Sequence, residues 1–418
     1  MNRRDFFKSA AVVSAGTLTL SNTLYAAGSD TLRVALIGCG GRGKGALENF
    51  IEAAKHLKID VQIVALADFF KSRTDEAAKQ FNVPEDLCHV GPNAYKDVMK
   101  TDADIVLLVT PPNFRPIQFE AAVNAGKHVF MEKPVAVDPP GARKIVEMGE
   151  VAKTKGLAVV AGTQRRHQLE YLKTKYAIDK GVIGSIRGGS VYWCGGALWY
   201  QERKSGEDDA SYMVRNWVSF TEMSGDHIVE QHVHNIDVAN WFIGRTPESA
   251  IGFGGRARRK TGNQFDFFSI DFDYGDGVRI HSMCRQINGT YSRVAEVFSG
   301  AAGQAWGDEY GKGDVQQQYR MPDTPYVGNP YVQEHVDLIR SIREGKPLNE
   351  ATAVGTSTLS GIMGRISAYT GQLVRWKDLT ESESSPWYNL TLSPTAEDFE
   401  KGTVTAPADD VAPVPGRA

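Results

Sequence analysis

TLRVALIGCGGRG, residues 31–43, decides the fold, because an apolar run there breaks abruptly into glycines. Leu32, Val34, Ala35, Leu36 and Ile37 form a near-continuous hydrophobic segment of strand formers, as a parallel strand buried on both faces requires. The loop Gly38-Cys39-Gly40-Gly41-Arg42-Gly43 fits G-x-G-x-x-G, and a helical pattern from Ala46 to Ala54 follows it. In that setting Gly38 permits the tight turn, Gly40 the close approach of a pyrophosphate, and Gly43 the packing of helix on strand. Gly41 and Arg42 complete a loop whose phosphates would face the helix N-terminus.

An acidic residue about 20 positions after such a loop meets the adenosine ribose. A second buried run, Val61 to Ala67, ends in Asp68, a little past that spacing and at the carboxyl end of a strand. A carboxylate there accepts hydrogen bonds from ribose and repels a 2′-phosphate. At about 4 Å and an effective dielectric near 20 the repulsion reaches roughly 4 kcal/mol as an upper bound. NAD is therefore favoured over NADP.

The chain has 418 residues and a formal net charge of −3, enough length for two domains and no basic face for nucleic acid. Cys39, Cys88, Cys194 and Cys284 are scattered without metal or redox spacing, so no disulfide is assigned. Paired arginines, Arg3 and Arg4, precede an apolar segment from Ala10 to Leu20 and small residues around Ala27. Residues 1–28 resemble a twin-arginine export signal, which places the expected mature protein in the periplasm or outside the cell. No later stretch approaches a membrane span.

From Leu32 to about Val160 buried strands alternate with helical patterns, the signature of a doubly wound α/β sheet, here residues 31–161. Asp104 to Thr110 is followed by Pro111-Pro112-Asn113. Lys127 to Met131 delivers Glu132-Lys133-Pro134 to the same sheet edge. A second domain is expected over 162–380. Its strands are read at Phe265 to Tyr274, Gly277 to Arg285 and Ser292 to Ser299, with helices at Val332 to Arg343 and Ala351 to Gly371. Residues 381–418, polar and proline-rich, read as a disordered tail or an arm on a neighbouring subunit. Within 199–226 the aromatics Trp199, Tyr200, Tyr212, Trp217 and Phe220 would suit sugar rings or a core.

The segment from Ser224 to Gly244 reads as one helix. At helical spacing His227, Glu230, His234, Asp237 and Trp241 share one face, with Val229, Val233, Ile236 and Ile243 opposite. His227, His232, His234 and Glu230 are a conceivable metal set, but a regular helix turns His232 about 160° from His234. No metal is assigned.

Four elements in order, the glycine loop, Asp68 in ADFFKSR, TPPNF at 110–114 and EKPVAVD at 132–138, resemble the glucose–fructose oxidoreductase / inositol dehydrogenase / MocA (Gfo/Idh/MocA) family. The resemblance implies an N-terminal Rossmann domain and a C-terminal α+β domain with an open-faced, mainly antiparallel sheet. It puts NAD against the glycine loop, Asp68, Arg73, Thr110, Pro111, Asn113, Glu132 and Lys133. It also implies that Lys133 is catalytic, and physics supplies a reason: a positively charged nicotinamide beside an ammonium lowers its pKa towards neutrality. In the family the later helix carries D-x-x-x-H-x-x-D, whose histidine is the general base. Here Glu230, His234 and Asp237 occupy those positions, and Arg166 and His167 fall in a segment that borders substrate, where Arg166 would serve a sugar or a salt bridge equally well. Departures are Glu230 in place of Asp, His232 where glycine is common and Arg115 where histidine is common.

The implied reaction is hydride transfer between a sugar, polyol or glycoside carbinol and the nicotinamide, by a homo-oligomer. Export adds a constraint, because the periplasm holds no nucleotide pool and the twin-arginine route carries folded proteins with cofactor bound. The cofactor must then be reset in place, by a second substrate or by oxidising and re-reducing one sugar. The latter is the chemistry of NAD-dependent glycosidases, where transient oxidation at C3 acidifies the C2 proton for elimination. A non-catalytic NAD-binding protein is the third class, against which the pair Lys133 and His234 stands.

Overall fold

A computed structural model describes residues 31–414, so the export-signal reading at 1–28 lies outside the described residues. Six parallel strands form the first sheet: β1 Thr31–Ile37, β2 Asp60–Asp68, β3 Cys88–Val90, β4 Ile105–Leu108, β5 His128–Met131 and β6 Val159–Ala161. Their order is β3-β2-β1-β4-β5-β6. The order reverses between β1 and β4, and the crevice outside those carboxyl ends is where an open α/β sheet takes its ligand. Because helices cover both faces, β4 is buried at every position and β1 at all but two, which explains the unbroken apolar runs.

The second sheet has seven strands: β7 Ile186–Gly195, β8 Ser249–Gly255, β9 Phe267–Asp273, β10 Arg279–Gln286, β11 Arg293–Gly300, β12 Gln304–Trp306 and β13 Val374–Arg375. They lie in the order β12-β11-β7-β10-β9-β8-β13. Only β7 with β10 is parallel. The β9–β10 connection is the expected tight turn, in which Gly275, Asp276 and Gly277 all take positive φ and the Tyr274 N–H bonds to the Val278 carbonyl. One face packs on helices Val233–Ile243 and Ala351–Thr370, while Ile251, Phe253, Met283 and Val294 remain exposed on β8, β10 and β11.

The last strand of the first sheet ends at Ala161, but the chain comes back to this sheet's core. Helix Pro330–Arg343 buries Val332, Val336, Leu338 and Ile339 in the same core as Leu32, Phe50 and Phe130. Residues 348–350 then bond to Val159 beside β6. Helix Ala351–Thr370 starts in the first core, with Ala351 and Val354, and ends in the second, with Leu359, Ile362, Met363 and Ile366. One rigid helix in two cores fixes the angle between the domains.

The described part of the C-terminal segment is not free. It carries helix Ala396–Lys401, started by a capping box between Thr395 and Asp398, and buries Phe399. It lies on its own chain, which corrects the expectation of a disordered tail.

The shared core predicts that residues 31–161 produced alone expose the Leu32–Phe50–Phe130 face. They should bind a hydrophobic dye and lack a cooperative melt, whereas the full chain melts in one transition. A cooperative, dye-silent 31–161 fragment would show that the returning helix is dispensable.

Candidate active site

The glycine loop is shaped by close approaches. A Cβ on Gly38, whose φ is +100°, would stand 2.6 Å from the Val109 carbonyl group, and one on Gly43 would stand 1.7 Å from the Gly38 oxygen. Those two glycines are required by the protein itself. At Gly40 and Gly41 the situation is the reverse: a Cβ on Gly40 would meet only Arg73 Nη1 at 4.0 Å, and one on Gly41 would meet nothing. Both face the cleft. Helix Gly41–His56 begins here, and the N–H groups of its first turn lack intrahelical partners. An open floor beneath free N–H donors fits a dinucleotide pyrophosphate.

Asp68 holds this loop as well as facing the cleft. Its carboxylate accepts from the Cys39 N–H at 2.7 Å and the Phe70 N–H at 2.9 Å, and Arg73 stands 3.9 Å away. Burial pushes its pKa up against those donors. The cleft has two joined compartments of about 440 and 410 Å³ that share Arg42, Val109, Thr110, Trp199 and Trp217. The first contains the loop, Asp68, Phe69, Arg73 and Pro111. The second contains Glu132, Lys133, Gln164, Glu230 and His234. Asn113 lines neither; it is buried with its amide nitrogen 3.1 Å from the Met223 sulfur. Thr110 reaches the cleft although its hydroxyl donates to Gln118 Oε1 at 2.6 Å.

The histidine helix is corrected by the structure. It is not continuous: His227–Glu230 forms one turn, and Val233–Ile243 begins afresh. Between them the His232 N–H reaches five residues back to the His227 carbonyl, and the His234 N–H turns to the Gln231 carbonyl. The Glu230 carbonyl is thereby released from the helical ladder and accepts from Lys133 Nζ at 2.7 Å. The Glu230 carboxylate stands 3.4 Å from the same ammonium. With its amide turned so that nitrogen faces carboxylate, Gln231 donates to Glu230 at 3.0 and 3.2 Å.

The break also dissolves the polar stripe. Glu230 and His234 reach the cleft. His227 lies against Asp226 and edge-on to Phe268, and His232 Nε2 meets the Ser282 hydroxyl at 2.7 Å. Burial pushes His232 down to about 3. His234 stacks on Trp193 with its Nδ1 buried and lacking a hydrogen-bond partner among the described residues. Burial, then the charges of Lys133, Arg165 and Arg42, hold its pKa well below the usual histidine value. His234 is thus unprotonated and free to accept a proton in a transition state, while the same burial and cations weaken it as a base and speed the proton's onward release.

Arg166, His167 and Asp237 do not line the cleft. Arg166 forms a two-pronged pair with Asp237 at 2.8 Å on each arm, and Asp237 also accepts from Ser357. His167 sits between Asp337 at 2.8 Å and Glu350 at 3.2 Å, where the chain leaves and re-enters the first domain. Of the two uses weighed for Arg166, the salt bridge is the one observed, and the three residues tie the domains together. Arg42 pairs with Glu132 at 2.5 Å and reaches Glu334 at 3.4 Å, linking the glycine loop to the strand that carries Lys133. Gly162 leaves room for that carboxylate, since a Cβ there would sit 2.4 Å from Glu132 Oε2.

Sequence reasoning missed Asn329 and Tyr331 at the second compartment, whereas Gln164, which opens the segment read as bordering substrate, does line it. Asn329-Pro330 is a readable helix start, with the Asn329 side chain accepting from the Tyr331 N–H. Nothing local shows that this helix returns to the first domain. Of the aromatics, Trp199 and Trp217 line the cleft, whereas Tyr212 and Phe220 are core.

A parallel sheet with a glycine-loop crevice, joined to a mixed sheet that supplies a lysine-facing histidine helix, defines a two-domain dinucleotide-binding protein. Residues 32–163 match the family GFO/IDH/MocA, described as "Oxidoreductase family, NAD-binding Rossmann fold", and residues 171–304 match its "GFO/IDH/MocA C-terminal domain". The chain belongs to this family, and NAD is the cofactor of its Rossmann domain. It is similar to a "Glycosyl hydrolase family 109 protein" of Shewanella pealeana, 26% identical over 306 residues, 66% of this chain and 65% of that one. It also resembles an "Inositol 2-dehydrogenase" of Rhizobium meliloti, 25% identical over 52% of this chain and 57% of that one. The match thus spans just under two thirds of the first relative's length and less of the second. Among solved structures, scyllo-inositol dehydrogenase from Lactobacillus casei with bound NAD(H) and scyllo-inositol shares the fold. Its TM-score is 0.62 at 20% identity, covering 82% of this chain and 99% of that one.

His167 gives a pH prediction. Burial opposes its charge, but Glu350 and Asp337 override burial and raise its pKa to about 10. A histidine whose folded pKa is raised contributes stability that is complete below the unfolded value of about 6.5 and lost as pH rises through the folded one. The stability difference between the natural protein and His167→Gln, from denaturant melts, should be largest at or below that lower value and shrink towards pH 10. A difference independent of pH would mean the histidine is not a charged clamp.

Proposed function

We propose that the protein is an NAD-dependent oxidoreductase acting on a CH–OH group of a sugar, polyol or glycoside, with a cofactor that stays bound and is recycled in place. The observation that carries this reading is the meeting of Lys133, Glu230 and His234 in the compartment that continues the glycine-loop cleft. Bound NAD supplies the hydride acceptor. His234, kept neutral by burial and nearby cations, takes the hydroxyl proton and yields it readily for the same electrostatic reason. Lys133 has three hydrogens: the Glu230 carbonyl engages one at 2.7 Å and the Glu230 carboxylate a second at 3.4 Å, leaving the third to polarise the substrate oxygen. Trp199 and Trp217 meet edge to face, ring centroids 6.1 Å apart, at the junction of the compartments and offer aromatic surface to a sugar ring. The exposed residues Ile251, Phe253, Met283 and Val294 suit the expected homo-oligomer.

The twin-arginine reading of residues 1–28 supports a resident cofactor, because a protein exported folded carries its NAD with it. A second reading, redox-neutral glycoside cleavage, draws on the relative named for a glycosyl hydrolase family. It needs a second base for the C2 proton, and the Glu230 carboxylate beside Lys133 is the group available.

Lys133→Met and His234→Ala should each lower turnover by about 10²–10⁴-fold while binding NADH nearly as before. Native protein given free sugars, polyols and an acceptor, without added NAD, should interconvert carbinol and carbonyl. Either variant within a few-fold of the parent would remove that residue from the mechanism. Aglycone release from aryl glycosides without net NADH would replace the oxidoreductase reading with the glycosidase one.

A further inference from the structure

The described C-terminal residues run from one wall of the cofactor cleft to the other and contact both. On the first domain, Phe399 packs edge-on against Phe69 and Phe114, with ring centroids at 6.4 and 5.0 Å. Phe69 follows Asp68 directly, and both phenylalanines line the compartment that holds the glycine loop. Glu400 then binds Tyr95 Oη at 2.7 Å and Lys96 Nζ at 2.8 Å on the same domain. On the second domain, the Ala406 N–H donates to Asp209 Oδ2 at 2.9 Å, and Asp409 accepts from Tyr212 Oη and the Gly262 N–H, each at 2.7 Å. Asp410 pairs with Arg256 at 3.2 Å.

Tyr212 lies on the helix Asp209–Arg215, and Val214, Arg215 and Trp217 of this stretch form the wall facing the glycine loop. Phe399, Phe114, Tyr212, Val214 and Phe220 share one small apolar cluster, which draws on both walls and on the C-terminal segment. Gly262, under Asp409, fits so closely beneath Ser219 that a Cβ there would stand 1.7 Å from the Ser219 oxygen. Movement of the Asp409 anchor is therefore passed to the Trp217–Ser219 turn.

We infer that Phe399 and Asp409 are cofactor-positioning residues: they hold the two walls of the dinucleotide cleft together, so that NAD leaves only when the C-terminal segment lifts. The inference deepens the resident-cofactor reading and rests on it for its purpose, but its test needs no substrate. Phe399 is the largest apolar side chain that the C-terminal segment brings to the cluster, so its removal loosens the first-domain anchor. Loss of a charged acceptor at Asp409 frees the second.

The test is the NADH dissociation rate of full-length protein, followed by cofactor fluorescence during displacement by excess NAD, in Phe399→Ala, Phe399→Leu and Asp409→Asn. Phe399→Ala should release NADH about tenfold or more faster, since large-to-small core changes are costly. Phe399→Leu should restore most of the retention. Asp409→Asn should accelerate release by roughly 2–10-fold, the scale of one ordinary hydrogen bond, because the amide keeps one of the two acceptor oxygens. At saturating NAD, kcat of all three should stay within a few-fold of the parent, so the loss appears in cofactor affinity and not in the chemical step. If Phe399→Ala is too unstable to purify, Asp409→Asn alone decides. Release unchanged within twofold, with the 395–410 segment newly open to protease, would overturn the inference. Should retention respond as expected while no carbinol is oxidised, the proposed reaction fails and the clasp stands.

Discussion

The contact between Lys133 Nζ and the Glu230 carbonyl organises the molecule, because it joins the two domains at the point where their chemistry meets. A carbonyl inside a continuous helix is already engaged by the N–H four residues on. Glu230 is available only because the chain breaks step at Gln231 and His232. The same irregularity separates the turn that bears Glu230 from the helix that bears His234, and so sets both beside one lysine. The burial that leaves His234 neutral follows from the fit of these elements, with Trp193 stacked on the ring.

That contact demands a fixed relation between the sheets, and several features maintain it. Helix Ala351–Thr370 belongs to both cores. Arg166 with Asp237, and His167 between Asp337 and Glu350, form buried charge pairs around the crossing points. Breaking a buried pair by removing one partner costs about 3–5 kcal/mol, so these charges resist relative movement of the domains more than they add net stability. Arg42 extends the arrangement to the glycine loop through Glu132, making the loop, the lysine strand and the returning helix one unit.

Much of this was legible in the sequence, and the exceptions share a cause. The buried strands, the glycine loop, Asp68 and the Glu132-Lys133-Pro134 strand end follow from local pattern, since burial on two faces and tight turns leave few residue choices. The helix break was not legible, because the group that takes up the freed Glu230 carbonyl is a lysine from another domain. Arg166 stood open between a sugar and a salt bridge, and the resemblance set His167 in the same substrate-bordering segment, because a charge in sequence gives no sign of its partner; Asp237 and Asp337 lie 71 and 170 residues further along the chain. Polar, proline-rich composition hid the C-terminal clasp, though Thr395 and Asp398 at capping-box spacing, followed by Phe399, were a usable signal. Long-range contacts decided every one of these cases.

The most direct measurement is the dinucleotide released when the purified, natively folded protein is denatured, set beside the effect of added NAD on turnover before denaturation. A resident cofactor requires close to one NAD(H) per chain and turnover indifferent to added NAD. A protein that emerges empty and turns over only when NAD is supplied would contradict it.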